Sequence, residues 1–263
     1  MNYQMQYPTK EHEKAAEEVT RFFATNFSID SVLLVNSCAR GKATSDSCLD
    51  ITILVKPDLF VEQSGRFASE WKRFRENSGV IRDLKAIGKY SKVHLNFTDG
   101  IFTPPERDEA GGPDYFEVSI GNLLVFAHPL WKSGHYWEDL RQEWLPFYNE
   151  PLRKKRLAMV RMYCLKDLNH IPLYVERNLF FQSFDRLYNA YRQFLQALFI
   201  SRRTYPIAYN KWIREQVEEI LGLPELYQQL TRLFEIRHFE SRELIDKGKE
   251  VEELLEKFTI PQG

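Results

Sequence analysis

Residues 35–55 contain the side chains of this sequence that are best suited to phosphate and metal chemistry. The stretch begins with the small polar residues Asn36 and Ser37, continues through Gly41, and reaches the carboxylate Asp50. Backbone amides in a turn of small residues can point at a phosphate, and a serine hydroxyl adds a further donor. A carboxylate on the following strand can hold the divalent cation that neutralises the phosphate charge. The stretch therefore predicts a phosphate or nucleotide site.

Three short segments have the length and pattern of strands that would position these residues. Residues 31–35 and 49–55 are apolar runs of strand length, and Pro57 ends the second because proline cannot donate to a strand ladder. Residues 92–97 alternate polar and apolar side chains, which is the pattern of a half-buried strand. We expect Asp50 to lie at the start of the second strand.

Helical spacing of apolar residues predicts helices over residues 10–26 and 59–76. Glycine and proline are frequent over residues 98–114, which predicts a surface loop. Residues 115–131 are apolar without a clear period, so strand and helix both remain open for that segment.

The second part of the chain has a different character. From about residue 150 the pattern is almost continuously helical, with an aromatic-rich stripe over 177–200 and a charged last helix over 239–257. The change predicts a mixed α/β domain over residues 1–148 and an all-α domain over residues 149–263.

Composition narrows the classes of function. The chain has 263 residues, of which 43% are hydrophobic and 28% charged, as in globular proteins. Its formal charge of −1 gives no general attraction to nucleic acid or anionic membrane, and the basic cluster within 153–161 is interpreted as a helix face. The start of the chain is polar, and no apolar run approaches the ~20 residues that span a bilayer. We expect a cytoplasmic protein with neither a membrane nor a nucleic-acid partner.

The three cysteines, Cys38, Cys48 and Cys164, have no CxxC spacing and no histidine close by in the sequence. Their spacing indicates neither a zinc site nor a disulfide framework.

The stretch 35–55 resembles the signature of the nucleotidyltransferase superfamily, which includes DNA polymerase beta and the aminoglycoside- and lincosamide-modifying enzymes. That signature is a Gly-Ser turn, often continued as Ala-Arg-Gly, followed after a spacer by Ser-Asp-hydrophobic-Asp-hydrophobic. The residues at matching positions are Ser37, Ala39, Arg40, Gly41, Ser47, Leu49, Asp50 and Ile51. The resemblance implies an α+β fold in which a mixed sheet flanked by helices is followed by a helical bundle domain. It also implies a nucleoside triphosphate and Mg²⁺ in the cleft between the two domains, and nucleotidyl transfer to an unknown small-molecule acceptor.

Three positions depart from the family pattern. Asn36 replaces the first glycine, and asparagine can also adopt a positive φ. Cys48 replaces the first carboxylate of the metal-binding pair, although a thiol is a poor ligand for Mg²⁺. His94 is the counterpart of the third carboxylate, and as a neutral imidazole it can still accept a proton. Asp46 is a candidate to replace the missing metal ligand.

The resemblance assigns a role to each candidate residue. Lys211, in a Tyr-Pro…Lys-Trp stretch of the helical half, can supply a point charge to a phosphate. The catalytic positions are Asp50 and His94, the metal positions are Asp50 and Asp46, and the nucleotide-binding positions are Asn36, Ser37, Arg40, Gly41 and Lys211.

Three functions remain open from the sequence. The first is nucleotidyl transfer. The second is a catalytically inactive family member, a pseudoenzyme that binds a ligand or a partner, with a homodimer left open. The third is a helical ribonuclease-like domain, because Arg232 and His238 have the spacing of an Arg–His pair in such domains.

Overall fold

The computed structural model describes residues 3–105 and 111–260. The chain divides into two compact units. The first comprises Met1–Thr103 and Ser119–Leu145, and the second comprises Pro104–Val118 and Pro146–Gly263. Each unit has a hydrophobic core of its own.

The first unit is built around a four-stranded mixed sheet with the order β3-β2-β1-β4. The strands are β1 (Ile29–Leu34), β2 (Leu49–Val55), β3 (Val93–Thr98) and β4 (His128–Lys132). β1 pairs antiparallel with both β2 and β4, whereas β2 and β3 pair in parallel. The three predicted strands are confirmed, and β4 comes from the segment that the sequence left open.

Helices flank this sheet, as expected. Up to residue 145 they are α1 (Lys10–Phe23), α2 (Asn36–Ala39), α3 (Pro57–Asn77), α4 (Gly79–Ile87), α5 (Phe116–Ile120), which continues as a π-helix over Gly121–Val125, and α6 (Tyr136–Trp144). One face of the sheet packs on α1 and α3 through edge-to-face and stacked rings, including Phe23, Phe67 and Phe97. Burial of these rings stabilises β2 and β3 on the face of the sheet that packs on α1 and α3.

The opposite face of β2 and β3 carries the polar residues. Asp50 is paired with His94 in the strand register, and Leu54 is paired with Thr98. The Leu54 end of this face is covered, because Gly100 lies between Leu54 and Leu140 of α6. The Asp50 end has exposed and half-buried side chains instead.

A buried carboxylate fixes the start of α6. Asp30 on β1 is 1% exposed. Its Oδ1 accepts a hydrogen bond from the Trp137 N–H at 3.2 Å, and its Oδ2 accepts one from the Tyr136 N–H at 3.3 Å. These two amides have no partner inside the helix, so Asp30 caps α6 and attaches it to β1.

The second unit is all-α from Pro146 to the end of the described residues, as predicted. Its helices are α7 (Glu150–Glu176), α8 (Phe180–Ser201), a π-helix (Glu215–Ile220), α9 (Pro224–Leu233) and α10 (Glu243–Thr259). The aromatic stripe of α8 lies in the core, with Phe194 fully buried. Among the described residues, no helix combines the length and apolar character needed to cross a membrane.

A buried polar network joins the first turn of α5, and Asp114 just before it, to α7 and α8. Glu117 is fully buried and accepts hydrogen bonds from Arg156 at 2.8 Å, from the Tyr148 hydroxyl at 2.8 Å and from Gln196 at 2.9 Å. Arg156 also donates to Asp114 at 2.7 Å. Burial and the Glu117 charge raise the pKa of the Tyr148 hydroxyl, so it stays protonated and donates.

Candidate functional site

Asp50 and His94 lie side by side on the parallel strands β2 and β3. The distance from His94 Nδ1 to Asp50 Oδ1 is 3.3 Å. The His94 side chain is 52% exposed and that of Asp50 is 20% exposed, so both can be reached from solvent. The two residues expected to be catalytic are therefore neighbours on an open part of the sheet.

Cys48 joins this pair from the residue preceding β2. The ligand atoms of Cys48, Asp50 and His94 all lie within 4.8 Å of one another. Cysteine spacing in the sequence gives no sign of this cluster. The reason is that parallel pairing brings His94 beside Cys48 from a distant part of the chain.

The turn after β1 begins next to Asp50. The Val35 N–H donates to the Asp50 carbonyl at 3.0 Å, and the chain then forms the single helical turn α2. Asn36 has a φ of +58°, the left-handed conformation that asparagine tolerates at the position where the family carries glycine. Asn36 is exposed and Ser37 is half-buried. These two predicted nucleotide-binding residues thus lie on the surface adjacent to the cluster.

Arg40 and Gly41 are placed differently. Arg40 is 3% exposed, so it belongs to the interior of the unit rather than to the open surface. Gly41 has a φ of +67°, and a Cβ there would come within 2.6 Å of the Gln4 carbonyl oxygen. The Gln6 N–H donates to the Cys38 carbonyl at 3.2 Å nearby. These contacts attach the N-terminal segment to the turn.

Asp46 lies outside the cluster of donor atoms. Its Oδ1 accepts a hydrogen bond from the Tyr90 N–H at 3.1 Å, and a Cβ at Gly88 would overlap the same oxygen. Ser91 Oγ donates to the Ser45 carbonyl at 2.8 Å in the same region. Asp46 therefore holds the turn between α4 and β3, and it is not among the three residues whose donor atoms converge.

Lys211 and the Arg–His pair belong to the second unit. Lys211 is exposed, and its carbonyl accepts a hydrogen bond from Gln216 at 2.9 Å. Arg232 lies in α9, whereas His238 follows the helix and donates its N–H to Glu243 at 2.9 Å. The two residues do not share a helix face.

Cys38 lies behind the cluster as a buried thiol. Its Sγ lies 3.8 Å from the Cys48 carbonyl oxygen, to which it donates. Burial, with the negative charge of Asp50 and the neighbouring Cys48, raises the pKa of the Cys38 thiol to about 12. Cys38 therefore stays neutral at physiological pH and is a poor candidate for a thiolate ligand.

The donor set does not fit the two-Mg²⁺ centre that the superfamily resemblance implies. Mg²⁺ takes an octahedral shell of hard oxygen ligands, and two such ions are usually shared by several carboxylates. The cluster offers one carboxylate, one imidazole and one thiol. No reaction step through a pair of Mg²⁺ ions follows from these residues.

Comparisons with known proteins identify similarity at the level of solved structures. The sequence matches no protein-family model and no curated protein. Among solved structures, the chain is similar to a nucleotidyltransferase-like protein from Exiguobacterium sibiricum 255-15, with a TM-score of 0.48 and 11% sequence identity. The similarity covers 93% of this chain and 74% of that one. The α+β fold class rests on the sheet topology and the helices described above.

Proposed function

We propose that the protein binds a nucleoside triphosphate at the Asp50 end of β2 and β3. The observation that carries this proposal is the convergence of Asp50 and His94, 3.3 Å apart, beside the turn that begins at Asn36. The resemblance of residues 35–55 to the nucleotidyltransferase signature supports the same location. Nucleotidyl transfer to a small-molecule acceptor is the reaction that such a site would serve.

Each residue has a distinct task in this proposal. Ser37 and the backbone around Asn36 donate hydrogen bonds to phosphate oxygens. Asp50 is the one carboxylate of the cluster that can contact the cation accompanying the nucleotide, Mg²⁺ by resemblance, whose remaining ligands are phosphate oxygens and water. Neutral His94 accepts the proton of an acceptor hydroxyl through Nε2 or Nδ1.

The second candidate is nucleotide binding without transfer. It is favoured by a specific observation: Cys48 and His94 stand beside Asp50, where the family pattern has carboxylates. A site with one carboxylate can hold a nucleotide and its cation, yet it lacks the charge that normally activates the attacking hydroxyl and stabilises the leaving phosphates.

Titration calorimetry with ATP, GTP, CTP and UTP, each with Mg²⁺ and then with EDTA, tests the binding. We expect Asp50→Asn to weaken Mg²⁺-dependent affinity at least about tenfold, because a charged ligand of the cation is lost. Asp46→Asn is the matched control, since asparagine can still accept the Tyr90 hydrogen bond. Binding of none of the four nucleotides, or equal affinity in both variants, would contradict the proposal.

Pyrophosphate release across a panel of acceptors separates the two candidates. Release that disappears in His94→Ala supports nucleotidyl transfer. Metal-dependent binding without release from any acceptor supports the inactive alternative.

A further inference from the structure

We infer that Cys48, Asp50 and His94 form a binding site for a transition-metal ion of the Zn²⁺ class. The ion can bind there in the absence of a nucleotide. The site shares Asp50 and His94 with the proposed nucleotide site. It follows from the side chains alone and does not require that nucleotide binding be correct.

The spacing of the donor atoms suits such an ion. Zn–N and Zn–O bonds of about 2.0–2.1 Å that meet at a tetrahedral angle separate the two donor atoms by about 3.3 Å. His94 Nδ1 and Asp50 Oδ1 are 3.3 Å apart. A Zn–S bond of about 2.3 Å places the sulfur about 3.5 Å from the other donors. All three donor atoms already lie within 4.8 Å of one another, so modest side-chain rotation would bring them to bonding distance of one metal ion.

The chemistry of the donors selects the class of metal. Thiolate and imidazole suit Zn²⁺, Co²⁺, Ni²⁺ and Cu²⁺, whereas Mg²⁺ and Ca²⁺ prefer sites made of oxygen ligands. One sulfur, one nitrogen and one carboxylate oxygen therefore discriminate strongly against Mg²⁺. Cys48, which departs from the nucleotidyltransferase pattern, produces this preference for Zn²⁺-class ions over Mg²⁺.

The backbone fixes two of the three ligands before any metal binds. Asp50 and His94 are a register pair on adjacent parallel strands, and Cys48 directly precedes Leu49, the fully buried first residue of β2. Ligands on rigid strands need little reorganisation, which favours binding.

The site has one open coordination position. Structural Zn²⁺ sites use four protein ligands, whereas three protein ligands leave a place for water or another small ligand. The half-exposed His94 shows that solvent reaches the cluster. A phosphate oxygen is an anionic ligand that can take this fourth position.

Metal binding releases the Cys48 proton, since the thiolate is the ligand and the proton passes to the buffer. Calorimetry in two buffers of different ionisation enthalpy measures that proton.

Chelator-treated full-length protein titrated with Co²⁺ and with Zn²⁺ tests the site. We expect one Co²⁺ per chain with a thiolate-to-cobalt charge-transfer absorption, displacement of Co²⁺ by Zn²⁺, and no displacement by millimolar Mg²⁺. Cys48→Ser should remove the charge-transfer band, and Cys48→Ser and His94→Ala should each weaken Zn²⁺ binding at least about tenfold.

Two control variants exclude binding elsewhere. Cys164→Ser changes a buried cysteine of the second unit, and His128→Ala changes an exposed histidine on β4 of the same sheet. Both should keep the absorption band and the affinity. Zn²⁺ should also raise the melting temperature of the wild type and of both controls, but not that of Cys48→Ser.

The outcomes separate the metal site from the nucleotide site. Zn²⁺ binding that survives both Cys48→Ser and His94→Ala overturns the inference, as does a Co²⁺ complex without a thiolate band. Failure of every nucleotide to bind, with the cobalt spectrum intact, overturns the proposed function alone. Nucleotide binding to chelated protein with Mg²⁺, without any Co²⁺ complex, overturns only the transition-metal site.

Discussion

Gly41, just after α2, has a conformational role that can be read from its backbone angle and its surroundings. It combines a φ of +67° with a close approach to the Gln4 carbonyl, so two separate constraints exclude a side chain. The glycine can be seen in the sequence, but its contact with residue 4 is tertiary and is invisible in the pattern.

We expect Gly41→Ala to destabilise the protein by about 1–3 kcal/mol, because the new Cβ is strained at positive φ and meets backbone rather than a flexible side chain. Gly65→Ala is the matched control. Gly65 lies inside α3, and a Cβ there meets nothing within 4 Å, so alanine should stabilise by about 0.5–1 kcal/mol. Urea unfolding of both variants measures the difference, and equal effects would refute this account of Gly41.

Placing at position 48 the carboxylate that the nucleotidyltransferase signature has there gives a second prediction at the residue scale. Cys48→Asp replaces the soft sulfur with an oxygen beside Asp50, so we expect tighter Mg²⁺-dependent nucleotide binding and loss of the thiolate-to-cobalt band. Calorimetry and absorption spectroscopy on the same sample measure both effects. Cys48→Ser is the comparison, because it removes the sulfur without adding a charge. Unchanged nucleotide affinity in Cys48→Asp would count against the alignment of this loop with the family signature.

At the scale of elements, local pattern predicts some segments well and others not at all. β2 begins and ends as expected, because its apolar run lies between a polar loop and Pro57. The three strands around the Asp50–His94 pair have a recognisable local pattern, but the register that pairs Asp50 with His94 and brings Cys48 beside them is set by tertiary packing.

The elements that the sequence missed depend on long-range contacts. Residues 115–131 contain α5, a π-helix and β4, and their apolar side chains have no single period because their partners lie in several elements. α6 was not predicted either, and its start depends on Asp30, a residue of β1 far away in sequence. A cap supplied by another element leaves no local signature.

The Glu117–Arg156 pair is the clearest energetic test at this scale. Arg156→Leu leaves Glu117 buried without its ionic partner and should destabilise by about 3–5 kcal/mol. Glu117→Leu should destabilise by less, because Arg156 keeps its ion pair with Asp114. The double variant should lose less than the sum, because neither charge then remains without its partner. Urea unfolding of the four proteins gives the coupling energy. Additive losses would show that the pair does not act as a unit.

At the scale of the whole molecule, the distribution of charge indicates whether the protein can bind nucleic acid. The sequence indicates an ordinary helix face for the basic cluster on α7, and in the structure its arginines are engaged within the second unit. Arg153 pairs with Glu150 at 2.9 Å, Arg156 with Glu117 at 2.8 Å, and Arg161 with Glu256 at 2.5 Å. The exposed Lys154 and Lys155 alone remain for a polyanion on this segment.

We therefore expect no saturable binding of single-stranded RNA or duplex DNA tighter than about 10⁻⁴ M at physiological salt, because non-specific affinity grows with the number of phosphates neutralised. With a formal charge of −1, the chain also lacks a general field that would concentrate nucleic acid near its surface. Fluorescence anisotropy at low and physiological salt measures this, with the Lys154→Ala/Lys155→Ala variant as the control. A steep salt dependence that vanishes in that variant would reveal a polyanion surface on α7. Such a result would favour a nucleic acid over a small phosphate compound as the binding partner.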